Sequence, residues 1–487
     1  MNDLIYTRSP KLSYSGVEID NPHSLTIPDG VTAVVGPNGS GKSSLGRILE
    51  KGWNFGGNSI ASASGEPIKV KMVEFNDIHS LANLKIEYYQ QRYEATASED
   101  VPTVAEVIAR TAAQSQLPDN SNNMRLDMLL HMLGLIGREE EHINQLSSGE
   151  LRKLLILNAI INPIDLLILD NPYIGLDNKS RAAVDDAISK LAEAGIGILL
   201  LTANPRDIPD FATCVVPMRD LKAYRPITEI PSMGRLRNSL GEFFDFAVDI
   251  DAIPPAPVKT EAFQSLISLD GVSVAYGNRV ILKDLSWEVK DGQFWALAGP
   301  NGSGKSTLLS LICADNPKAY CNNITLFDQP RGTGETIWDI KRRIGYISPE
   351  LTLQSRPSGD VLTIVAQGLN DTMGNYVKPT PPQMELARKW LGIMHLSHLA
   401  ERPFFSLSTG ERQMVMLARV FIKQPRLMVL DEPFHGLDCA RIKAVRAIIN
   451  NFAAKALAQP AKHPMALIFV SHNQEEIPEC VSFTKTL

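Results

Sequence analysis

GPNGSGKSS at residues 36–44 and GPNGSGKST at residues 299–307 are one phosphate-loop pattern written twice. The pattern G-x-x-x-x-G-K-S/T requires glycines so that backbone N–H groups can curl around phosphate oxygens. Its lysine reaches the β- and γ-phosphates, and its hydroxyl holds Mg²⁺. Both copies supply the full set: Gly36, Asn38, Gly39, Gly41, Lys42, Ser43 and Ser44, then Gly299, Asn301, Gly302, Gly304, Lys305, Ser306 and Thr307. The alternative is a glycine-rich turn with an accidental lysine. Two complete matches argue against that, each following a short apolar run (31–35 and 294–298) and opening a helical pattern (44–50 and 307–313). Strand, phosphate loop and helix form the opening of an α/β nucleotide-binding domain.

The repetition extends well beyond the loops. LSSGE at 146–150 returns as LSTGE at 407–411, and LLILDNPYIGLD at 166–177 returns as LMVLDEPFHGLD at 427–438. Lys42 recurs as Lys305, Ser147 as Ser408 and Asp170 as Asp431, at offsets of 263, 261 and 261. Three landmarks in one order at offsets agreeing within two residues indicate a duplicated domain, with a period too long for a solenoid. The first copy is expected over 1–225 and the second over 265–487. The connector, 226–264, holds Pro226, Pro231, Pro254, Pro255 and Pro257 and reads as a tether. The stretches 76–145 and 350–406 are more helical and more divergent, which predicts a helical subdomain in each copy.

Composition narrows the function classes. Of the 487 residues, 44% are hydrophobic and 21% charged, the balance of a globular protein able to bury large cores. A net charge of −6 argues against a generally basic nucleic-acid binder. The five cysteines are scattered with no C-x-x-C pair, as expected for thiols in a reducing cytosol. No secretory leader and no apolar run long enough to span a bilayer is evident, so work at a membrane would pass through a partner.

Asp170 and Asp431 each end an apolar strand pattern. A carboxylate at the C-terminal end of a parallel strand lies beside a bound nucleotide and can hold Mg²⁺; the plainer reading is an aspartate capping a turn. With Ser43 and Ser306, these two are the candidate metal ligands.

Taken together, these motifs resemble the ABC ATPases over nearly the whole chain. The resemblance implies two P-loop NTPase (ABC) cassettes in tandem, each α/β with a RecA-like core and a helical subdomain. LSSGE and LSTGE are similar to the family signature, which in that family closes over the ATP held by the opposite cassette. Ser147, Gly149 and Glu150 would then serve the ATP on Lys305, and Ser408, Gly410 and Glu411 the ATP on Lys42. Serine, glycine and a helix N-terminus suit an anion, although S-x-G-E is also a plain helix N-cap. Tyr276, 29 residues before Lys305, resembles the aromatic that stacks on adenine, and Tyr14 is a weaker counterpart; either also suits a core aromatic. Asp177 and Asp438, in matching G-L-D loops, resemble the residues that touch across the family's interface, or simply stabilise a turn.

The two copies differ where catalysis is expected. After Asp431 comes Glu432, the family's carboxylate that polarises the attacking water; after Asp170 comes Asn171, whose amide accepts no proton. VSHNQEEIPE at 470–479 aligns with LTANPRDIPD at 201–210 through the shared I-P-acid ending, which sets His472, the family's switch histidine, opposite Ala203. Glu432 and His472 are therefore the expected catalytic pair, with ATP and Mg²⁺ as cofactors. The first site is expected to bind ATP with little turnover, unless Asn171 positions water adequately. Neither copy carries the family's glutamine after its next strand: Asn76 and Asp77 stand there in the first, Ser348, Pro349 and Glu350 in the second. This weakens ordinary coupling to a permease.

The stretch 334–348, the segment at 324–328 ahead of it and the I-P-acid endings are similar to the ModF family, tandem cassettes named for proximity to molybdate transport and also called photorepair proteins. That resemblance implies a cytoplasmic monomer whose cassettes pair within one chain, peripheral at the inner face of the plasma membrane if its partner is a permease or another protein complex. Two alternatives stay open. A ribosome-associated ABC translation factor is disfavoured by the short, weakly basic connector. A nucleotide-gated scaffold without hydrolysis is disfavoured by Glu432 and His472.

Overall fold

The computed structural model describes residues 3–7, 11–14, 17–23, 25–51, 60–62, 68–75, 102–113, 119–143, 146–245, 247–255, 261–277, 279–300, 302–354, 357, 359–371, 377–471 and 473–487. The chain divides into two compact units, Met1–Asp245 with Asp438–Ala440, and Phe246–Leu437 with Arg441–Leu487.

In the first unit, five parallel strands run side by side in the order Cys214–Arg219, Val31–Val35, Gly197–Thr202, Leu166–Asp170 and Val70–Glu74. VTAVV, LLILD and GILLLT are apolar at nearly every position because both sheet faces are covered, and every residue of these three strands is buried. Alternate residues feed opposite cores. Ala33, Leu167, Leu169 and Leu200 meet Leu154, Leu157 and Ile188 of the helices Ser148–Ile160 and Asn178–Glu193 on one side. Val34, Ile168, Leu199 and Leu201 meet Leu45, Ile48 and Leu49 of the helix Lys42–Lys51 on the other.

The second unit repeats this plan. Its parallel strands lie in the order Ile344–Ile347, Leu427–Asp431, Ala466–Val470, Phe294–Ala298 and Phe483–Thr486. One face packs on the helix Lys305–Ile312 and on an antiparallel sheet built around Ile267–Tyr276 and Arg279–Val289. The other packs on Cys439–Ala458 and the helical subdomain, where Trp390, Phe421 and Phe452 meet with ring centroids 5.6–6.0 Å apart. The two sheets thus share one strand order. In each, the phosphate-loop strand and the aspartate-ended strand flank a common neighbour, so their C-terminal ends open on one side.

The described part of the connector packs on the two units. Ser232 caps a helix over Met233–Phe243, and Leu240 and Phe244 are buried in the first unit's core. Further on, Ile253 is buried in the core of the second unit.

Candidate nucleotide sites

Each phosphate loop leaves its strand through glycines that no other residue replaces cheaply. A Cβ on Gly36 would stand 2.0 Å from the Met218 carbonyl oxygen, and Gly41 holds φ +94° in the left-handed region. In the second loop Gly304 holds φ +98° and caps the helix Lys305–Ile312. Lys42 is 5% exposed, and its ammonium donates to the carbonyls of Gly36 (2.7 Å) and Pro37 (2.9 Å). Lys305 does the same with Gly299 (2.8 Å) and Pro300 (2.9 Å). Both ammonium groups therefore sit inside the curl of their own loop. Asn301 lies outside the described residues.

The sheet register carries the strand-end carboxylates to the loops. In the first unit Ser43 Oγ donates to Asp170 Oδ2, while Asn171 Nδ2 donates to Asp170 Oδ1 at 2.8 Å. Burial pushes the Asp170 carboxyl above the usual range, opposed by the Ser43 hydrogen bond and the Lys42 charge. A hydroxyl and a carboxylate at one point are hard oxygen donors, and they fit Mg²⁺. In the second unit, burial lowers the Lys305 ammonium while Glu432 and Asp431 act against it, so both carboxylates lie within electrostatic reach of the phosphate-loop lysine. Ser306 stands in the first turn of the adjoining helix.

Asn171 and Glu432 share one backbone conformation, with φ 52° and 46°. Their chemistry differs. The amide of Asn171 is a donor committed to Asp170, whereas Glu432 presents a carboxylate.

The two switch turns also superimpose in bonding. Thr202 Oγ1 donates to Asp207 Oδ2 (3.2 Å), Ser471 Oγ to Glu476 Oε2 (2.7 Å), and Asn204 and Asn473 cap the short helices Pro205–Asp207 and Gln474–Glu476. This pattern supports pairing Ala203 with His472. Ala203 is 8% exposed; His472 itself lies outside the described residues. In the first unit Arg181 adds an ion pair to Asp207 (2.7 Å) and lies over the Tyr173 ring at 4.6 Å.

Ser147 and Ser408 are both helix N-caps with complete capping boxes. The Ser147 amide donates to Glu150 Oε2 at 2.8 Å and its hydroxyl at 2.6 Å; Ser408 and Glu411 match at 2.8 and 2.7 Å. The glutamates proposed as nucleotide contacts are thus engaged with their own caps, and the Ser147 hydrogen bond holds Glu150 below the usual carboxylate range. Gly149 packs against Ser180, where a Cβ would meet the serine Cβ at 3.1 Å. The Tyr276 hydroxyl accepts from Asn316 Nδ2 (2.9 Å), and Lys318 Nζ lies 5.7 Å from the ring centroid. Nothing is described of the Tyr14 side chain, and Asn76 and Asp77 are outside the described residues. Ser348 is 2% exposed and bonds into the helix Pro349–Gln354, its hydroxyl accepting from the Leu351 amide at 3.1 Å.

Sequence reasoning passed over Arg152, which is 3% exposed. Its guanidinium donates to the Ile174 carbonyl and lies 5.8 Å from the Phe75 ring centroid. Its counterpart in the repeat is Gln413, whose Nε2 donates to the Pro433 carbonyl at 2.9 Å.

Comparison with known proteins agrees with this geometry. The sequence profile of the family described as "ABC transporter" matches residues 21–174 and 282–435. The chain is 32% identical over 463 residues to the ABC transporter ATP-binding protein ModF of Escherichia coli, covering 92% of this chain and 89% of that protein. It is 26% identical over 474 residues to an uncharacterized ABC transporter ATP-binding protein of Schizosaccharomyces pombe, covering 92% and 90%. Among solved structures, the model of ribosome-bound archaeal Pelota and ABCE1 aligns with a TM-score of 0.57 at 18% identity, over 96% of this chain and 74% of that one. The RNase-L Inhibitor aligns at 0.51 and 20%, over 94% and 83%. At those identities the structural likeness speaks for the fold. No helix among the described residues is long and apolar enough to cross a membrane. With the profile found twice and ModF matched almost end to end, this chain belongs to the ABC transporter ATP-binding family, as a tandem-cassette protein of the ModF kind.

Proposed function

We propose that this protein is an asymmetric ATP-driven clamp that hydrolyses ATP at one of two sites. The reading rests on one contrast: at the same left-handed station after the strand-end aspartate, Glu432 offers a carboxylate and Asn171 an amide. A positioned general base contributes roughly 10²–10⁴-fold, or about 3–5.5 kcal/mol of barrier. In the head-to-tail arrangement that the family resemblance implies, Lys305, Asp431, Glu432 and His472 work with the first signature, Ser147 and Gly149. Lys42, Asp170, Asn171 and Ala203 work with Ser408 and Gly410 to form a site that binds ATP and holds it. Asp177 and Asp438 lie in the loops that would link the two sites, and Tyr276 takes the adenine.

Chemically, Glu432 accepts the proton of the attacking water, and Lys305 and the loop amides neutralise charge building on the γ-phosphate. Bound Mg²⁺ would neutralise phosphate charge at Ser306 and Asp431, and at Ser43 and Asp170. Two cassettes on one chain meet at high effective concentration, so the protein acts as a monomer in the cytoplasm. A role beside molybdate uptake, with a permease or another complex as partner, follows only from the ModF resemblance.

The deciding experiment is steady-state turnover of the Glu432→Gln chain together with purification of that chain in ATP. Turnover is expected to fall at least 100-fold while two nucleotides stay bound; undiminished hydrolysis would overturn the assignment. Proteins that co-purify with the trapped chain identify its load. A membrane permease supports the transport reading, and co-sedimentation with ribosomes replaces it.

A further inference from the structure

We propose that Arg237, in the segment between the two cassettes, is a positioning residue of the first nucleotide site. Its Nε (3.0 Å) and Nη2 both donate to the Ile208 carbonyl, and the same guanidinium pairs with Asp210 at 2.8 Å. Ile208 is fully buried and closes the turn that begins at Thr202 and carries Ala203. The helix bearing Arg237 is itself fixed: Leu240 and Phe244 are buried, and Arg219 donates to the Phe243 carbonyl at 2.9 Å. In the second cassette the same stretch is held differently. There Arg446 and Asn450 of the helix Cys439–Ala458 grip Glu479. Among the described residues, only the first switch turn is held from the connector.

The connector's other half is anchored just as firmly, on the second unit. His395 Nε2 lies 3.0 Å from the Ala247 carbonyl oxygen, and Gln424 Nε2 donates to the Pro254 carbonyl at 3.0 Å. Gln424 is the C-cap of the signature helix Thr409–Lys423. The chain between the cassettes therefore joins the switch turn of the first site to the end of the helix that begins at Ser408. In the clamp proposed above, on which this inference rests, those two elements serve the same ATP, the one on Lys42. Arg237 sets the position of the Ala203 turn, and the connector ties that turn along the chain to the second unit's signature helix.

The test is ATP release from the full-length protein after a chase with unlabelled ATP and Mg²⁺. The wild-type chain is expected to hold about one ATP in a slow pool beside a fast, hydrolysing one. Arg237→Met is expected to speed release from the slow pool about tenfold, the loss of a charged hydrogen bond to a buried carbonyl. Arg237→Lys, keeping one donor, is expected to recover part of the retention. Gln424→Gly keeps the left-handed cap (φ 44°) and deletes the bond to Pro254 along with the buried side chain that makes it, and it is expected to speed the same pool if Arg237→Met does not fold. Slow release at the wild-type rate in the folded variants would overturn the role of the connector. A wild-type chain with no slow pool would instead overturn the asymmetric clamp.

Discussion

The amides of Asn171 and Glu432 make the same bond: each donates to the carbonyl of the adjacent strand, Leu201 at 2.8 Å and Val470 at 3.0 Å, with φ 52° and 46°. Asparagine tolerates this left-handed region well, whereas glutamate pays roughly 1 kcal/mol to occupy it. Glu432→Asn is therefore expected to stabilise the second unit by about 0.5–1 kcal/mol while removing at least 100-fold of turnover. Denaturant unfolding alongside steady-state ATPase measures both. A variant that loses stability would show that Glu432 is held by contacts stronger than the backbone strain.

The reverse exchange needs two residues. In the first unit the Asn171 amide braces Asp170, and Ala203 occupies the switch position. Asn171→Glu alone replaces a donor by a second carboxylate beside Asp170, so it is expected to add no hydrolysis. Asn171→Glu with Ala203→His, in a Glu432→Gln background, is expected to restore at least tenfold over that background, since general base and switch act as a unit. Restoration by the single change would mean the histidine is dispensable.

The duplicated motifs made the fold legible. Buried parallel strands appear as unbroken apolar runs, and phosphate loops need glycine at fixed spacing, so sequence and structure carry the same signal there. The connector was less legible. Met233, Leu236, Leu240 and Phe244 fall at helical spacing behind a Ser232 cap, but the flanking prolines are a stronger local signal for extended chain. Arg152 was invisible because burial of a charge depends on tertiary packing rather than on local pattern. The S-x-x-E pattern carried two meanings at once, and the structure shows the capping one in both copies.

That double meaning can be separated. Glutamine completes a capping box as glutamate does, without the charge. Glu411→Gln is expected to keep nucleotide binding within about twofold and stability within about 0.5 kcal/mol, whereas Glu411→Ala is expected to lose about 1 kcal/mol of helix stability. Nucleotide titration and thermal unfolding of both variants decide it. Binding lost equally in the two would assign the carboxylate charge to the ligand after all.

Arg152 and Gln413 occupy equivalent turns of the signature helices and reach the equivalent carbonyl region with unequal electrostatics. Burial pushes the Arg152 guanidinium down to about 10, and among the described residues its Nε and Nη1 meet no acceptor. A cation whose folded pKa is depressed destabilises the fold wherever it is charged in both states; the penalty is complete below about pH 10 and fades above it. Arg152→Gln, copying the second unit, keeps one amide donor, which in Gln413 bonds the Pro433 carbonyl, the counterpart of Pro172, and removes the desolvated charge. It is expected to stabilise the first unit by about 1–3 kcal/mol, with the gain flat across neutral pH. Urea unfolding at several values between about pH 6 and 9 tests both the sign and the flatness. A loss of stability at every pH would instead show that the stack on Phe75 and the second guanidinium arm outweigh the cost of burying the charge.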